Sequence, residues 1–453
     1  MSDRPNILYL HSHDTGRYVR PYGFALETPN IQRLAEDGVL FRQAFTAAPT
    51  CSPSRAALLT GQTPHSAGML GLAHRGFELI DPGQHVAAVL RAHGYQTYLA
   101  GVQHVTTRDV RATGYDHDMA PADLSVAAVA PGAARTIAGL GDSTGEGPFF
   151  LDVGFVETHR DFPPVDAAES RYLRPPAPFP DTPETRQDMA AYHASVRELD
   201  RGVGIVLDAL DAAGLSDSTL VIQTTDHGLA FPAMKCSLTD HGTGVLLILR
   251  GPGGFTGGRV IDALVSQVDL FPTLCDLTGI DRPAWLQGAS LMPLIDGATD
   301  EVNDQVFSEV TYHAAYEPQR MVRTRRWTYI RRFDARRLPV LPNCDDGGTR
   351  EFWLQHGWAA RPINREQLYD NLFDPVQARN VIADPELATI VDDLRGRLDR
   401  WMRETGDPLL HGPVPLPVGA MMNDPADQSF FEDLLVAQPD GSLRRTPNPR
   451  TLR

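Results

Sequence analysis

Cysteine is scarce in this chain, and the few cysteines are scattered along it. The 453 residues include four, namely Cys51, Cys236, Cys275 and Cys344. None of them belongs to the closely spaced pairs that are typical of zinc sites, and their spacing indicates no disulfide framework. We therefore expect neither a Cys-rich metal site nor a fold that depends on disulfide bonds.

Long hydrophobic runs and an excess of positive charge are also missing. No stretch is long enough to span a membrane, and the first apolar run, Asn6–Leu10, is too short for the hydrophobic part of a signal peptide. The formal net charge of -16 argues against broad nucleic-acid binding. We therefore expect a cytoplasmic protein that binds neither membranes nor nucleic acids, although a local basic pocket for one anionic group is compatible with this charge.

The composition is otherwise that of an ordinary globular protein, and short apolar runs alternate with helical patterns. The clearest helical pattern, Arg186–Ala213, has apolar residues at three- and four-residue spacing and ends at Gly214. The alternation predicts a doubly wound, mostly parallel α/β sheet with its site at the carboxyl ends of the strands. The apolar runs typical of buried parallel strands are Ile7–Leu10, Gln96–Ala100, Phe149–Phe155, Thr219–Thr224 and Val245–Leu249.

The pattern changes after about residue 300, which indicates a second unit. Arg320–Arg332 alternates charged and apolar residues like a strand of an antiparallel sheet, and Pro385–Glu404 has the spacing of a helix. We predict a large α/β domain over residues 1–305 and a smaller C-terminal α+β subdomain with an antiparallel sheet over residues 306–438. Residues 439–453 are polar and rich in proline and arginine, and we expect an extended tail there.

The most informative stretch is TCSPSR at residues 50–55, which small apolar residues and Thr-Gly follow. Pro53 suits the first turn of a helix and Gly61 its end, so Cys51 is expected just before a helix N-terminus, where backbone N–H groups favour an anion. Arg55 lies four residues on, on the helix face that points back towards Cys51. These residues predict a cradle for sulfate or phosphate. A buried structural cysteine followed by a surface arginine is the plain alternative.

The same stretch resembles the Cys-x-Pro-x-Arg signature of the sulfatase family. Within that family, residues 51–71 and 200–232 are most similar to the heparan N-sulfatase (sulfamidase) branch. The resemblance implies an alkaline phosphatase-like fold and a sulfuric ester hydrolase whose Cys51 is converted to formylglycine by a formylglycine-generating enzyme. Other stretches that resemble the family, and that together cover nearly the whole chain, are residues 6–8, 28–31, 41–45, 225–228, 250–253, 368–371 and 374–375.

The resemblance also implies a divalent metal ion. The positions that match the family's ligands are His13, Asp14, Asp226 and His227, together with the modified Cys51. The family usually has an aspartate where this chain has His13, and its usual ion is calcium, which prefers oxygen ligands. Two imidazoles and two carboxylates favour manganese or zinc instead. A polar residue that begins a loop, without a metal, is the plain alternative for His13, and His11 competes for its role but is offset from the family's register.

Three more residues match positions that have roles in the family. His104 is implied to bind the hydroxyl of the nucleophile or the sulfate, and His159 to bind the sulfate or donate a proton. Lys235 is implied to stabilise the charge that develops on the leaving-group oxygen. Taken singly, each of the three is as readily explained as an ordinary loop or strand-capping residue, but the Cys51 motif favours the functional roles.

One cation of the family's pattern is absent from this chain. The family has a lysine two positions before the histidine that His104 matches, and here that position is Val102. The missing charge is either not needed or supplied from elsewhere, with Arg17 and Arg108 as the candidates.

These residues support three hypotheses about function. The leading one is a sulfatase that hydrolyses a sulfate ester or an N-sulfate on a small substrate, such as a sulfated sugar, through formylglycine 51. The second is a phosphonate monoester hydrolase or phosphodiesterase of the same superfamily, some of whose members carry an Asp-His metal pair. The third is a catalytically degenerate binding protein, which only His13 and Val102 support. The sequence leaves the substrate, the metal and a homo-oligomeric state open.

Overall fold

A computed structural model describes residues 4–142 and 147–449 of the chain, and its largest feature is an eight-stranded sheet. The strands are β1 (Asn6–Ser12), β2 (Val39–Phe45), β3 (Gln96–Gly101), β4 (His117–Asp118), β5 (Phe149–Gly154), β6 (Thr219–Thr225), β7 (Leu247–Arg250) and β8 (Arg259–Ser266). Their order in the sheet is β4-β3-β5-β1-β6-β7-β2-β8, and only β7 pairs antiparallel to its neighbours. The predicted mostly parallel sheet is confirmed.

Helices cover both faces of this sheet. They are α1 (Pro29–Asp37), α2 (Cys51–Thr60), α3 (Pro64–Ala67), α4 (Val86–Ala92), α5 (Val126–Asp142), α6 (Ala167–Ser170), α7 (Pro183–Ala212), α8 (Asp240–Thr243), α9 (Leu270–Thr278) and α10 (Met292–Ile295). Side chains of β1 alternate between two hydrophobic cores, because successive residues of a strand point to opposite faces. One core contains residues of α2, α4 and α9, and the other contains residues of α1, α5 and α7, so the sheet is doubly wound.

The long helix α7 is the predicted helix, and it begins three residues earlier than the pattern indicated, at Pro183. The side chain of Thr182 caps its first turn by accepting a hydrogen bond from the Thr185 N–H. The apolar positions that predicted the helix are buried in the core that it shares with α1 and α5. No helix among the described residues combines the length and the apolar character that crossing a membrane requires.

The reversed direction of β7 corrects the prediction of a parallel strand at residues 245–249. A parallel crossover carries the chain back to the opposite end of the sheet, usually through a long helix. The connection from β6 to β7 contains only the short helix α8, and it stays at the carboxyl end of β6 through backbone hydrogen bonds such as Gly228 N–H to the Gly242 carbonyl. Residues 226–246 therefore remain beside the carboxyl ends of the parallel strands.

The C-terminal third forms the predicted α+β subdomain. Its antiparallel sheet consists of β9 (Gln305–Tyr312), β10 (Tyr316–Thr324), β11 (Trp327–Arg332) and β12 (Glu366–Asp370), in the order β12-β11-β10-β9. Its helices are α11 (Gly348–Gln355) and α12 (Ala388–Glu404). The stretch 320–332 is not one strand, because a turn at Arg325 and Arg326 divides it between β10 and β11.

A small sheet completes the chain and includes part of the predicted tail. Its strands are β13 (Met421–Asn423), β14 (Leu434–Ala437) and β15 (Leu443–Thr446). Strand β15 lies within the segment predicted to be an extended tail and pairs with β14, while residues 450–453 of that segment lie outside the described residues.

A buried ion network around Arg320 joins the subdomain to the α/β domain. Arg320 on β10 is fully buried, and its guanidinium donates to the Asp407 carboxylate at 2.5 and 3.0 Å. It also lies 3.0 Å from the Glu309 carboxylate, which in turn is 2.6 Å from the ring of His65 on α3. Both buried carboxylates of this network thus face the Arg320 cation, and such pairing is the condition under which buried charges are tolerated.

We expect Arg320→Ala to lower the free energy of unfolding by about 3–5 kcal/mol, because it leaves the buried carboxylates of Asp407 and Glu309 without their cation. Chemical denaturation measures this difference. Arg201→Ala is the control, since Arg201 pairs with Glu198 on the surface of α7, and its effect should stay within about 0.5 kcal/mol. Equal destabilisation by the two substitutions would contradict the importance of the buried network.

Candidate active site

The residues that match the family's metal ligands follow two adjacent parallel strands. β1 and β6 pair in register to their last residues, so the loops that carry His13-Asp14 and Asp226-His227 leave the sheet side by side. Oδ1 of Asp226 accepts hydrogen bonds from the backbone N–H groups of Asp14 at 2.8 Å and of His227 at 2.9 Å. All four side chains are buried. Strand register, rather than nearness in the sequence, therefore brings the two pairs together.

Cys51 is the first residue of α2, one position further into the helix than the sequence indicated. Its thiol is buried, and Sγ lies 3.3 Å from Nε2 of His227. Burial raises the pKa of this thiol well above its ordinary value, and the charges of Lys235 and Arg55, which act in the opposite direction, do not outweigh it. The thiol is therefore protonated at neutral pH and is a poor nucleophile in its unmodified form.

Arg55 points towards the same loops, as the helix spacing predicted. One guanidinium nitrogen donates to Oδ2 of Asp226 at 3.0 Å and to the Ser12 carbonyl at 2.9 Å. The other lies 2.5 Å from Nδ1 of His11. Because an arginine can only donate, Nδ1 of His11 accepts, and its Nε2 donates to Asp152 at 2.8 Å. His11 therefore supports Arg55 and does not take the role of His13.

The Asp226 carboxylate is ionised despite its burial. Burial by itself raises the pKa of a carboxyl group, but His227, Arg55 and His13 together hold the pKa of Asp226 well below its usual range. The site thus contains a fixed negative charge at its centre.

The geometry of the ligand positions fits a divalent cation. One donor atom each from His13, Asp14, Cys51 and Asp226 lies within 4.8 Å of the others. Neither ring nitrogen of His13 makes a hydrogen bond with a described residue, although Nδ1 is 3.2 Å from Asp226, and Oδ1 of Asp14 makes none either. Buried polar atoms are normally paired, so these atoms indicate a missing partner.

The orientation of the His227 ring is also relevant to a metal ion at these positions. Its Nδ1 lies 2.9 Å from the carbonyl oxygen of Gly228, which can only accept, so Nδ1 carries the proton. In a neutral ring Nε2 holds the lone pair, and it lies 3.3 Å from Oδ1 of Asp14. A metal ion near both atoms would bind this lone pair and the carboxylate oxygen, so the arrangement is compatible with a metal site.

Lys235 and His159 lie together beside Asp14. Lys235 comes from the β6–β7 connection, and its Nζ donates to Oδ2 of Asp14 at 3.1 Å and lies 3.4 Å from Nε2 of His159. Nδ1 of His159 lies 2.5 Å from the Arg160 carbonyl, so Nδ1 carries a proton and Nε2 faces the lysine. Burial lowers the pKa of Lys235, but Asp14 and Asp345 raise it well above its ordinary value, so Lys235 is a cation.

His104, which follows β3, also reaches the site. Its ring centroid is 5.6 Å from that of His13. Its Nε2 lies 3.2 Å from Nδ1 of His74, a loop residue to which the sequence assigned no role. Burial, followed by the charges of His13 and His74, lowers the pKa of His104 well below its ordinary value, so this ring is neutral.

The two arginines suggested as replacements for the family's lysine are engaged elsewhere. Arg17 donates to the Ala44 carbonyl at 2.6 Å and lies over the ring of Phe45. Arg108 is exposed and pairs with Glu78 at 2.7 Å. Lys235 and Arg55, by contrast, are close enough to Cys51 for their charges to lower the pKa of its thiol.

The C-terminal subdomain contributes two residues that sequence reasoning missed. Asp345 Oδ2 lies 3.1 Å from Nζ of Lys235. His313 is buried, its Nδ1 has no hydrogen-bond partner among the described residues, and burial and Lys235 lower its pKa well below the ordinary value. No local pattern marks either residue, since both lie in connections of the subdomain, far along the chain from the Cys51 motif.

We expect the thiols of the unmodified, folded protein to be inert towards Ellman's reagent at neutral pH. All four cysteines are buried, and burial raises the pKa of Cys275 to about 11 and that of Cys344 to about 12. The reagent should titrate four thiols once guanidinium has unfolded the chain. Rapid reaction of Cys51 in the native protein would show that its thiol is neither buried nor protonated.

Comparison with known proteins agrees with this geometry. The profile of the family described as Sulfatase matches residues 5–280, and the profile described as N-sulphoglucosamine sulphohydrolase, C-terminal, matches residues 235–338. The chain is 29% identical to N-sulphoglucosamine sulphohydrolase of Homo sapiens over an alignment that is 467 positions long with its gaps and that covers 90% of this chain and 92% of the human protein.

Solved structures share the fold. A protein in complex with its substrate, D-glucosamine-2-N,6-O-disulfate, matches with a TM-score of 0.72 at 18% identity, over 90% of this chain and 99% of that one. The phosphonate monoester hydrolase of Agrobacterium radiobacter matches with a TM-score of 0.68 at 21% identity, over 89% and 96%. The Sulfatase profile spans more than half of the chain and includes Cys51 and both pairs of metal-ligand positions. The chain therefore belongs to the sulfatase family.

Proposed function

We propose that the protein hydrolyses an O-sulfate ester or an N-sulfate of a small sulfated sugar, with a formylglycine derived from Cys51 as the nucleophile. The observation that carries this proposal is the convergence of Cys51, Arg55 and Asp226 at the start of α2. The human relative is named for an N-sulfated glucosamine, and the substrate in the related solved structure carries both an N-sulfate and an O-sulfate. Both kinds of bond therefore belong to the proposed substrate class.

The side chains of this site suit the chemistry of sulfate transfer. Arg55 and Lys235 bring positive charge to residue 51, which stabilises an anionic sulfate and the charge that develops on the leaving group. His159 Nε2 lies beside Lys235, where a protonated ring can donate to the departing atom. The Sγ atom of Cys51 marks the place of the oxygen atoms of formylglycine. Formylglycine, when present, would supply as its hydrate one hydroxyl that serves as the nucleophile and a second hydroxyl whose deprotonation releases sulfate and restores the aldehyde.

We also propose that one divalent metal ion is held by His13, Asp14, Asp226 and the modified residue 51, with His227 facing it. A bound ion supplies positive charge next to the sulfate oxygens. Because His13 and His227 offer imidazole nitrogen where calcium prefers oxygen, the donor set favours manganese or zinc. Maturation by a formylglycine-generating enzyme and a cytoplasmic location belong to the same proposal.

The two other hypotheses are less well supported by the site. A degenerate binding protein has no need for a cysteine, two carboxylates and two cations converging in a buried cluster. A phosphonate monoester hydrolase or phosphodiesterase keeps some support, because such an enzyme shares the fold and the site chemistry suits an anion of either kind. Activity measurements on both substrate classes separate it from a sulfatase.

We expect protein that is co-expressed with a formylglycine-generating enzyme to hydrolyse 4-nitrophenyl sulfate faster than bis(4-nitrophenyl) phosphate. Mass spectrometry of the same protein should show a mass loss in the peptide that contains Cys51. Cys51→Ala should lower kcat/KM by at least about 1000-fold, because the nucleophile is lost. Cys275→Ala, which removes a buried thiol on α9, is the matched control and should retain activity. A preference for the phosphodiester, or an active Cys51→Ala variant, would contradict the proposal.

We expect about one equivalent of manganese or zinc in the purified protein by elemental analysis, since the ligand positions form one cluster with two imidazoles. His13→Asp should shift the metal preference towards calcium, because it replaces an imidazole with a carboxylate. Competition dialysis against equal concentrations of the three ions measures this preference. Wild-type protein that binds only calcium would contradict the proposed preference for manganese or zinc.

A further inference from the structure

We propose that Asp345, from the C-terminal subdomain, is a positioning residue that holds Lys235 against the leaving group of the substrate. This inference rests on the proposed function and adds a residue outside the α/β domain to its active site. The carboxylate of Asp345 contacts the ammonium group of Lys235, which in turn lies beside His159. Asp345 therefore acts through Lys235 and not on the sulfate itself.

The position of Asp345 is fixed by the fold. It lies in the connection between β11 and α11, and its side chain is only 14% exposed. The neighbouring Asn343 is buried, and its side chain bonds the backbone N–H of Ala315 and the Glu317 carboxylate, both at 2.8 Å. On the other side, the Thr349 N–H donates to Asp188 on α7 at 3.0 Å. The connection that carries Asp345 is thus anchored on both sides.

Lys235 needs a carboxylate partner that fixes the direction of its ammonium group. Its Nζ lies 3.1 Å from an oxygen of Asp14 and 3.1 Å from Oδ2 of Asp345. Asp14 is a proposed metal ligand, and a bound cation competes with the lysine for its charge, whereas Asp345 lies outside the ligand cluster. A lysine ammonium sits on a flexible four-carbon stem, so its direction depends on the groups that fix it. Asp345 is the carboxylate that remains free to do so.

The placement of Asp345 is hard to explain as a solubilising charge. A largely buried carboxylate near a sulfate site, such as that of Asp345, which is 14% exposed, repels the substrate unless a cation neutralises it. Lys235 provides that cation, and the Oδ2 atom that faces it has no other partner among the described residues. The next residue, Asp346, shows the ordinary arrangement, since it is 40% exposed and pairs with Arg350 at 3.0 Å.

A double-mutant cycle with two aryl sulfates tests this role. We expect Asp345→Ala to lower kcat by about 10- to 100-fold with little change in KM, because assistance to the leaving group acts in the transition state. The loss should be larger for phenyl sulfate, whose leaving group is the stronger base, than for 4-nitrophenyl sulfate. In the Lys235→Ala background, Asp345→Ala should cost nothing further. Asp345→Glu should recover part of the activity, and Asp346→Asn is the control that should match the wild type.

The outcomes separate this role from a structural one. Metal content and thermal unfolding identify variants with a damaged fold, and the isosteric Asp345→Asn carries the test where Asp345→Ala does not fold. Additive losses in the cycle, equal losses for the two leaving groups, or an Asp345→Ala variant within twofold of the wild type would each overturn the inference. A wild-type protein that hydrolyses only bis(4-nitrophenyl) phosphate overturns the proposed function alone. The same double-mutant cycle is then run on that phosphodiester. Non-additive losses on it support the role of Asp345, and additive losses overturn that role.

Discussion

The carboxylate of Asp226 lies where three segments of the chain meet. It accepts the backbone N–H of Asp14 from the loop after β1, the N–H of His227 from its own loop, and a guanidinium N–H of Arg55 from α2. An ionised, fully buried carboxylate is costly unless such partners surround it. Burial raises the pKa of Asp226, but His227, Arg55 and His13 together lower it well below its usual range. Asp226 thereby links the two loops that carry the proposed metal ligands to the helix that begins at Cys51.

The support for that carboxylate extends into the centre of the sheet. Arg55 is held by His11 on β1, and His11 is held by Asp152 on β5, which also accepts a hydrogen bond from the Tyr115 hydroxyl. His11 and Asp152 occupy strand positions where apolar side chains would otherwise pack. Hydrogen bonds from both terminal nitrogens of the guanidinium fix the direction of Arg55, so they explain why Arg55 faces Asp226 and not the solvent. Buried residues of the central sheet therefore fix the position of Arg55, which lies on the same helix as Cys51.

The strands and helices that a local sequence pattern marks could be predicted from the sequence. The apolar runs of β1 and β6 placed His13-Asp14 and Asp226-His227 at strand ends, and the Cys51 motif placed the start of α2. The direction of β7 was wrong, because a short apolar run has the same pattern in either direction and only the connection decides it. Asp345 could not be predicted as a site residue, because its contact with Lys235 depends on how the subdomain packs against the β6–β7 connection. A tertiary contact of that kind leaves no pattern in the sequence around it.

His13 and Val102 are the two positions where the resemblance to the family leads us to expect other side chains, an aspartate and a lysine. Asp14 and Asp226 belong to one cluster of possible metal ligands with His13 and Cys51, and Arg55 donates to Asp226. Anomalous diffraction from crystals of the metal-loaded protein tests the central claim most directly. We expect one metal peak bounded by His13, Asp14, Asp226 and residue 51. A metal bound only elsewhere, with these four side chains paired among themselves, would contradict it.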